Sequence, residues 1–373
     1  MDAEDAFRSI RNAAAEVVSE DELRQLCDQA ARGLQPRAYI GFEPSGTAHV
    51  GWMVCTDMVK RLVAAGFDVH ILLADWHAQI NDKLGGDLAA IQRCGRYMEQ
   101  AFEALGVPND QVRYVYANAL AGDASYWAMV LKVQKNTTLA RVRRAMTIMG
   151  RSEDEGDGDM SKFMYPAMQV ADIFHMHIDL AYGGLDQRHA HMLARDVAPK
   201  IGRKPPTALH TPLVPSLKGQ GSGRMDAQAS VAGGAGTAAA DAASVKMSKS
   251  DPDSGIFIHD APEDIARKLK GAHCPAKEVE GNPVLDLLRL VVWPRIGAVG
   301  GALVVRRPEK FGGDKSYTDL EAVKADFASG ALHPMDLKTA VASALGQQLE
   351  PVRAYFAKHP ADWQFVQSLR KTR

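Results

Sequence analysis

The sequence has few of the features that would place the chain in a membrane, in an oxidising compartment or around a metal. Only 4 of its 373 residues are cysteines, at positions 27, 55, 94 and 274, and none stands at the CxxC or CxH spacing of a zinc site. So sparse a set also fails to build a disulfide framework, and reduced thiols are expected. No run of about 18 apolar residues occurs, and the N-terminus carries acids where a signal peptide carries bases. These absences predict a cytoplasmic protein.

An excess of charge of either sign is missing as well. The 44 lysine and arginine residues nearly balance 45 aspartate and glutamate residues, which leaves a formal net charge of −1. An overall positive field is excluded, so a nucleic-acid partner would have to bind local basic patches. The chain is richer in apolar residues: 46% are hydrophobic, enough at this length for two domains with proper cores.

Short apolar runs alternate with helical periodicity over the first two hundred residues. This alternation predicts an α/β domain with a Rossmann-like, doubly wound parallel sheet, which binds its ligands at the carboxyl ends of the strands. The predicted strands are 37–42, 69–74, 112–116, 178–182 and 210–214. The predicted helices are 53–65, 88–105, 126–149 and 187–198.

The second half of the chain has a different character. Residues 218–245 contain 15 Gly or Ala in 28 positions without apolar periodicity, so a flexible segment is expected there. Helices are predicted downstream at 262–271, 283–293, 320–328, 335–345 and 350–358. The predicted domains are a catalytic domain at 1–217 with a connective insertion at about 117–164, a flexible insertion and loop at 218–258, and a mostly α-helical domain at 259–373.

Two distant motifs predict an ATP site. Residues 39–51, YIGFEPSGTAHVG, end a strand in a tight turn and lead into a helix start that carries His49, where free N–H groups favour an anion. Residues 246–250, KMSKS, add two ammonium groups that suit the charge on a departing pyrophosphate. Each motif alone is weak, because such a histidine is commonly a helix cap and such lysines are commonly solvated. Their order, after the first and the last strand, favours the nucleotide.

A third motif predicts a polar pocket. Tyr165, Gln169 and Asp172 fall at i, i+4 and i+7 and therefore share one face of a helix. An isolated QxxD pattern commonly faces solvent, but the neighbouring residues here are strongly apolar, which favours a pocket lining. The turn GGLDQR at 183–188 adds another amide, Gln187, as a second wall.

Together with HPMDLK at 333–338, these motifs resemble the tyrosyl-tRNA synthetases of the archaeal and eukaryotic cytoplasmic type, over roughly residues 20–358. The resemblance implies a class I synthetase that joins tyrosine to ATP, releases pyrophosphate and transfers the tyrosyl group to the 3′ end of tRNA(Tyr). It also implies a homodimer with its interface around 119–149, an anticodon-reading C-terminal domain, and Mg²⁺ held on the ATP phosphates.

The resemblance assigns roles residue by residue. Tyrosine would be bound by Tyr39, His77, Tyr165, Gln169, Asp172 and Gln187. ATP would be bound by Gly41, Glu43, Ser45, His49, Gly51, Lys246, Met247, Ser248 and Lys249, of which His49, Lys246 and Lys249 would be catalytic. The tRNA would be bound by Arg144, Arg188, Phe311, His333 and Asp336. Asp172 and the Tyr39 hydroxyl would meet the substrate phenol, and leaving them unpaired would penalise phenylalanine.

The sequence departs from the family at Trp52, which stands where the signature has its second histidine, and at the Gly/Ala-rich stretch before Lys246. Without the resemblance, Asp336 would be assigned as a helix cap, Phe311 as a core residue and the run around Arg144 as a solvated face. Three other functions stay open: a tryptophanyl-tRNA synthetase, a small-molecule adenylyltransferase, and a silent relative that only binds tRNA. The Tyr39 hydroxyl, the helical C-terminal third and the two lysines respectively disfavour them.

Overall fold

The computed structural model describes residues 1–150, 159–219 and 253–369, which divide into two compact units. Unit 1 contains the described residues of Met1–Gly46, Cys55–Pro212 and 360–369, and unit 2 those of Thr47–Val54 and Leu213–His359. This division differs from the predicted domain bounds, because unit 1 gives way to unit 2 after Pro212 rather than after residue 217, and the described residues from 253 to 258 belong to unit 2. The short segment Thr47–Val54 belongs to unit 2, and the last helix belongs to unit 1.

Unit 1 is built on a six-stranded sheet. Its strands are β1 (Glu16–Val18), β2 (Arg37–Phe42), β3 (Asp68–Leu73), β4 (Val112–Tyr116), β5 (Leu180–Gly184) and β6 (Thr207–Thr211). They lie in the order β1-β6-β5-β2-β3-β4, and all neighbours are parallel except β1, which is antiparallel to β6. The strand order reverses between β2 and β5, and such a reversal is where α/β sheets bind ligands. The predicted Rossmann-like class is confirmed.

Ten helices of the described residues accompany this sheet along the chain. They are α1 (Ala3–Ala13), α2 (Glu20–Ala31), α3 (Gly51–Ala64), α4 (Asp75–Ile80), α5 (Leu88–Ala104), α6 (Ala117–Ala121), α7 (Ala124–Lys135), α8 (Leu139–Ala145), α9 (Tyr165–His175) and α10 (Arg188–Val197). Short 3₁₀ turns occupy Lys83–Gly86, Met146–Met149, Met160–Met164, Leu185–Gln187 and Ala198–Ile201. Nine of the eleven residues of α9 are buried, which explains its nearly uniform apolar sequence.

The single helix predicted at 126–149 is wrong. The Thr138 hydroxyl accepts a hydrogen bond of 3.3 Å from the backbone N–H of Arg141 and so caps a new helix, α8, after α7 has ended. The strands predicted at 178–182 and 210–214 are shifted by two and three residues respectively from β5 and β6. The prediction did not include α1, β1 and α2, although Asp2 and Ser19 cap the two helices with their side chains.

Unit 2 is mostly helical, as predicted. Its elements are α11 (Pro262–Gly271), α12 (Pro283–Leu287), a π-helical turn (Leu288–Val292), α13 (Trp293–Ala298), β7 (Leu303–Val305), a 3₁₀ turn (Glu309–Phe311), β8 (Lys315–Tyr317), α14 (Leu320–Ser329), α15 (Pro334–Gln348) and α16 (Glu350–Lys358). Strands β7 and β8, which were not predicted, form an antiparallel hairpin. Thr47–Val54 joins this unit by backbone bonds, among them Val50 N–H to Ile256 O at 2.9 Å.

The last helix, α17 (Pro360–Leu369), packs in unit 1 rather than with the helices that precede it. Trp363 stacks on Tyr97 of α5 with ring centroids 5.8 Å apart. Arg93, also on α5, donates to Asp362 at 3.3 Å and lies over the ring of Phe365. Aromatic and ionic contacts with α5 therefore outweigh the closeness of α17 to α16 along the chain. No helix of the described residues is long and apolar enough to cross a membrane.

Candidate active site

Two buried polar side chains define the centre of the candidate site in unit 1. Tyr39 comes from β2, at the reversal of strand order, and Asp172 comes from α9, which leads into β5. Their exposed fractions are 1% and 0%. Burial raises the pKa of the Tyr39 phenol, and the negative charge of Asp172 adds a smaller increase. The pair offers a hydroxyl and a carboxylate in an apolar setting, which is what a bound phenol requires.

Asp172 is held by two further side chains. Tyr126 donates a hydrogen bond of 2.8 Å to its Oδ1, and Nε2 of His77 lies 3.1 Å from its Oδ2. The second pair is within ion-pair distance without the alignment of a hydrogen bond. Burial lowers the pKa of His77, but the Asp172 carboxylate outweighs this effect, so the pKa is raised overall. A raised pKa favours the imidazolium, whose charge stabilises the carboxylate.

Tyr126 is a site residue that was not predicted from the sequence. It lies on α7 with an exposed fraction of 1%, and its partner is 46 residues away along the chain. A tyrosine on the apolar stripe of a helix needs a partner for its hydroxyl. The residue type alone therefore indicated that Tyr126 forms a buried hydrogen bond. The identity of that partner depends on how α7 packs against α9.

Two amides line the site beside this centre. Gln169 Nε2 donates to Gln187 Oε1 at 3.2 Å, and Gln187 Nε2 donates to the backbone oxygen of Ile148 at 3.3 Å. Within the described part of the chain, the Oε1 of Gln169 and the Oδ2 of Asp172 are buried without a hydrogen-bond partner. Buried acceptors of this kind are uncommon and fit a ligand that brings donors, such as an ammonium or hydroxyl group.

Glu43 directly follows β2 and connects the predicted tyrosine-binding residues to the predicted ATP-binding residues of unit 1. Asn81 donates from Nδ2 to both carboxylate oxygens, at 2.9 and 3.2 Å, and Lys83 Nζ lies 3.6 Å from Oε2. Burial raises the pKa of Tyr165, and the negative charge of the adjacent Glu43 raises it further. The ring of Tyr165 meets that of His77 edge-on at 5.0 Å. Tyr165 therefore contacts both groups of residues.

The tight turn that the sequence predicts follows β2. Gly46 has φ of 114°, a conformation that favours glycine, and its N–H donates to Cys94 Sγ at 3.2 Å. The hydroxyl of Ser45 donates to the backbone oxygen of Glu43 at 3.1 Å. Gly41 stands in β2 and is exposed. Main chain without a Cβ, as at Gly41 and Gly46, can approach phosphates closely.

His49 belongs to unit 2, where its backbone bridges Phe257. Its Nδ1 accepts a hydrogen bond of 3.0 Å from the N–H of Gly51, the first residue of α3. A Cβ at position 51 would lie 2.6 Å from Cε1 of this ring, so a side chain there would displace the imidazole. Trp52 is buried. The predicted Lys246, Met247, Ser248 and Lys249 lie outside the described residues.

The two arginines predicted to bind tRNA lie in different surroundings in unit 1. Arg144 is exposed on α8 and lines a surface cavity of about 610 Å³ with Arg141 and Lys200. Arg188, at the start of α10, is half-buried, and its Nε lies 3.0 and 2.9 Å from the two carboxylate oxygens of Glu16. Within the described parts of the chain, Arg188 contacts a carboxylate and Arg144 does not.

The remaining predicted tRNA-binding residues belong to unit 2. Phe311 is 61% exposed, which excludes the alternative that it is a core residue. His333 caps α15, because its Nδ1 accepts from the N–H of Met335 at 3.1 Å. Asp336 is therefore not the cap, and its side chain stands in the first turn of that helix.

Comparisons with known proteins agree with this picture. The chain matches the family described as tRNA synthetases class I (W and Y) over residues 32–226 and 238–350. A tyrosine–tRNA ligase of Aeropyrum pernix is 49% identical over 361 residues, which cover 97% of this chain and 95% of that protein. A tyrosine–tRNA ligase of Saccharolobus islandicus is 42% identical over 379 residues, which cover 100% of this chain and 99% of that protein.

Solved structures give the same result. The tyrosyl-tRNA synthetase of A. pernix has a TM-score of 0.83 at 43% identity and is covered over 100% of both chains. That of Pyrococcus horikoshii, complexed with L-tyrosine, has a TM-score of 0.85 at 39% identity, with 99% of this chain and 100% of the other covered. A tryptophanyl-tRNA synthetase of A. pernix has a TM-score of 0.65 at 19% identity and shares the fold.

Proposed function

The chain belongs to the class I tRNA synthetases of the tryptophan and tyrosine family, and from this we propose that it is a tyrosine–tRNA ligase. It activates L-tyrosine with ATP to tyrosyl-adenylate, releasing pyrophosphate, and then transfers the tyrosyl group to the 3′ end of tRNA(Tyr). Both the identity of its full-length relatives and the bound ligand of a similar structure support tyrosine as the amino acid.

The observation that carries the choice of amino acid is the buried pair of Tyr39 and Asp172. A phenol hydroxyl both donates and accepts, so a carboxylate and a hydroxyl satisfy it together. An indole N–H only donates, and it would leave the Tyr39 hydroxyl without its partner in the apolar slot. Phenylalanine would leave both unpaired at a cost of about 1–3 kcal/mol for each group. The acceptor oxygens of Gln169 and Gln187 suit the α-ammonium group.

Catalysis in this reading needs no protein nucleophile, because the tyrosine carboxylate attacks the α-phosphate. The protein positions the reactants and stabilises the charge that builds up on the pyrophosphate. His49, Lys246 and Lys249 provide that stabilisation, and Gly41, Glu43, Ser45 and Gly51 surround the nucleotide. Mg²⁺ accompanies the phosphates, which are the hard oxygen ligands it prefers.

The proposal extends to tRNA and to assembly. Arg144 and Arg188 receive the acceptor end, since guanidinium groups bind phosphates and base edges. Asp336 pairs with the first anticodon base, on which Phe311 stacks. A second copy of the chain covers the region 119–149, where Leu131 and Leu139 expose 64% and 59% of their surface. The enzyme works in the cytoplasm, with its thiols reduced.

Amino-acid-dependent ATP–pyrophosphate exchange by the purified chain tests the function. Exchange that requires tyrosine supports it. Exchange only with tryptophan would instead indicate the related synthetase, and exchange with neither, while tRNA still binds, would indicate a silent relative. Aminoacylation of tRNA(Tyr) then tests the second step.

A further inference from the structure

A row of hydrogen-bonded polar groups, two of them buried histidines, runs through unit 1 to the tyrosine pocket. His191 on α10 and His210 on β6 are 1% and 0% exposed, and Nδ1 of His191 lies 3.0 Å from Nε2 of His210. Nδ1 of His210 lies 2.8 Å from Oε2 of Glu16 on β1. β1, near the start of the chain, and the neighbouring elements α10 and β6 thus contribute one continuous hydrogen-bonded row.

The carboxylate fixes the direction of this row. Glu16 can only accept when ionised, so Nδ1–H of His210 donates to it. Burial lowers the pKa of both imidazoles, which favours their neutral forms. In neutral His210, Nε2 is then the lone-pair atom and must accept from Nδ1–H of His191. One carboxylate therefore sets the tautomer and ring orientation of two histidines.

One end of the row meets the tyrosine pocket. The ring of His191 stands edge-on to Tyr39 with centroids 6.3 Å apart. It also packs against Gly183, where an added Cβ would lie 3.2 Å from its Cε1 and 2.9 Å from the Cβ of Gln187. His191 therefore supports a phenol-binding residue and adjoins an ammonium-binding residue of the proposed site.

The other end of the row meets Arg188. Both oxygens of Glu16 lie within 3.0 Å of the Arg188 Nε, and this pairing uses one of the five guanidinium donors. Among the described residues the other donors of Arg188 have no hydrogen-bond partner, which leaves them for phosphate or base edges. Burial raises the pKa of Glu16, but Arg188 outweighs this and keeps it lowered, so the carboxylate stays ionised.

From this arrangement we propose that Glu16 is a positioning residue for both substrates. It orients Arg188 for the acceptor end of the tRNA and, through His210 and His191, holds the Tyr39 side of the tyrosine pocket. The inference rests on the proposed function, because it assigns Arg188 to tRNA and Tyr39 to tyrosine. Its consequence is that one substitution on β1, outside both substrate sites, weakens the binding of two chemically unrelated ligands.

Unit 1 contains a matched control. Arg195, two turns after Arg188 on α10, pairs with Glu22 through Nη1 at 2.6 Å and Nη2 at 3.0 Å. The side chains of Glu16 and Glu22 are each 29% exposed, so the two ion pairs are similarly buried. Glu22 is separate from the histidine row. The variant Glu22→Gln therefore removes a comparable ion pair from the same helix and leaves the hydrogen-bonded row of Glu16, His210 and His191 intact.

The test compares Glu16→Gln with Glu22→Gln. For Glu16→Gln we expect KM for tyrosine in pyrophosphate exchange and KM for tRNA in aminoacylation each to rise by about tenfold, the size of one lost charged hydrogen bond. Glu22→Gln should leave both KM values unchanged. A purely structural role would lower kcat with the folded fraction and move neither KM, so equal KM values in the two variants overturn the proposal.

A second variant separates the two ends of the row and covers the case in which Glu16→Gln does not fold. His210→Phe keeps a ring in place but removes both hydrogen bonds. We expect it to raise KM for tyrosine and to leave KM for tRNA unchanged, since Glu16 still holds Arg188. An unchanged KM for tyrosine would overturn the proposal that the hydrogen-bonded row positions Tyr39. Wild-type protein without tyrosine-dependent exchange would overturn the proposed function itself, a different result from an active wild type with unaffected variants.

Discussion

Tyr126 donates a 2.8 Å hydrogen bond to Oδ1 of Asp172, and both residues are buried. The bond joins α7 to α9 and fixes one carboxylate oxygen, so the other oxygen faces His77. An ionised carboxylate can stay in an apolar slot only with such partners. If Asp172 selects the amino acid as proposed, that choice depends on a tyrosine that we do not expect to touch the substrate.

Tyr126→Phe should raise KM for tyrosine in pyrophosphate exchange by about tenfold, because the carboxylate loses a hydrogen bond worth about 1.5–3 kcal/mol. Tyr182→Phe is the matched control: this tyrosine is equally buried in unit 1, but its hydroxyl lies 3.4 Å from Thr211. The role assigned to Tyr126 is refuted if both variants behave alike.

Asp172→Asn should weaken the preference for tyrosine over phenylalanine. The amide keeps the size of the side chain but replaces one acceptor oxygen with a donor, so the phenol and Tyr126 then compete for fewer acceptors. We expect kcat/KM for tyrosine to fall by about 10–100-fold relative to that for phenylalanine. Exchange rates with the two amino acids measure the ratio, and an unchanged ratio would contradict the assignment.

Gly51→Ala should raise KM for ATP while sparing the fold. The new Cβ would meet the His49 ring at 2.6 Å and displace it from the position that its bond to Gly51 N–H maintains. Gly297→Ala, in α13 of the same unit, is the control, because nothing lies within 4 Å of a Cβ there. The measurement is KM for ATP in pyrophosphate exchange. Equal values in the two variants would separate His49 from nucleotide binding.

Asp336→Ala should lower kcat/KM for tRNA by about 10–100-fold while leaving tyrosine-dependent exchange unchanged, since a lost pairing with the first anticodon base costs about 1–3 kcal/mol. Asp264→Ala removes an acid from the first turn of another helix in unit 2, α11, and controls for general effects of first-turn charge. Equal damage to exchange and charging by Asp336→Ala would remove this residue from anticodon recognition.

The stability of the fold should fall as the pH drops from 7.5 to 5.5. Burial and the neighbouring His210 hold the pKa of His191 well below its usual value, and burial also lowers that of His210, where Glu16 and Asp186 oppose the shift and Arg188 adds to it. Unfolding exposes both imidazoles, which then bind protons below a pH of about 6.5. The unfolded chain binds more protons, so acid destabilises the folded chain.

His191→Phe removes one of these groups. This variant should lose ~1 kcal/mol less stability than the wild type between pH 7.5 and 5.5, or 2–4 °C less in the thermal midpoint. His77 works in the opposite direction, because Asp172 raises its pKa and its contribution is lost as the pH rises. Midpoints of wild type and variant at both pH values provide the measurement. An equal fall in both proteins would show that His191 does not titrate on unfolding.

The sequence by itself determined much of the local structure. The strands at Arg37–Phe42 and Val112–Tyr116 and the helices at Pro262–Gly271 and Glu350–Lys358 have the predicted bounds, because periodicity, prolines and glycines act over a few residues. The break before α8 was missed although it too is local, since the apolar pattern continues across the cap at Thr138. The fold class followed from the alternation of these elements.

Only the tertiary structure decided which distant side chains meet. Glu16 and His210 are 194 residues apart, and Tyr126 and Asp172 are 46 apart, yet each pair shares a hydrogen bond. The packing of α17 on α5 likewise depends on contacts between residues more than 260 positions apart. Buried polar groups must be satisfied, but which partner satisfies them depends on how whole elements pack, and no local pattern of residue types contains that information.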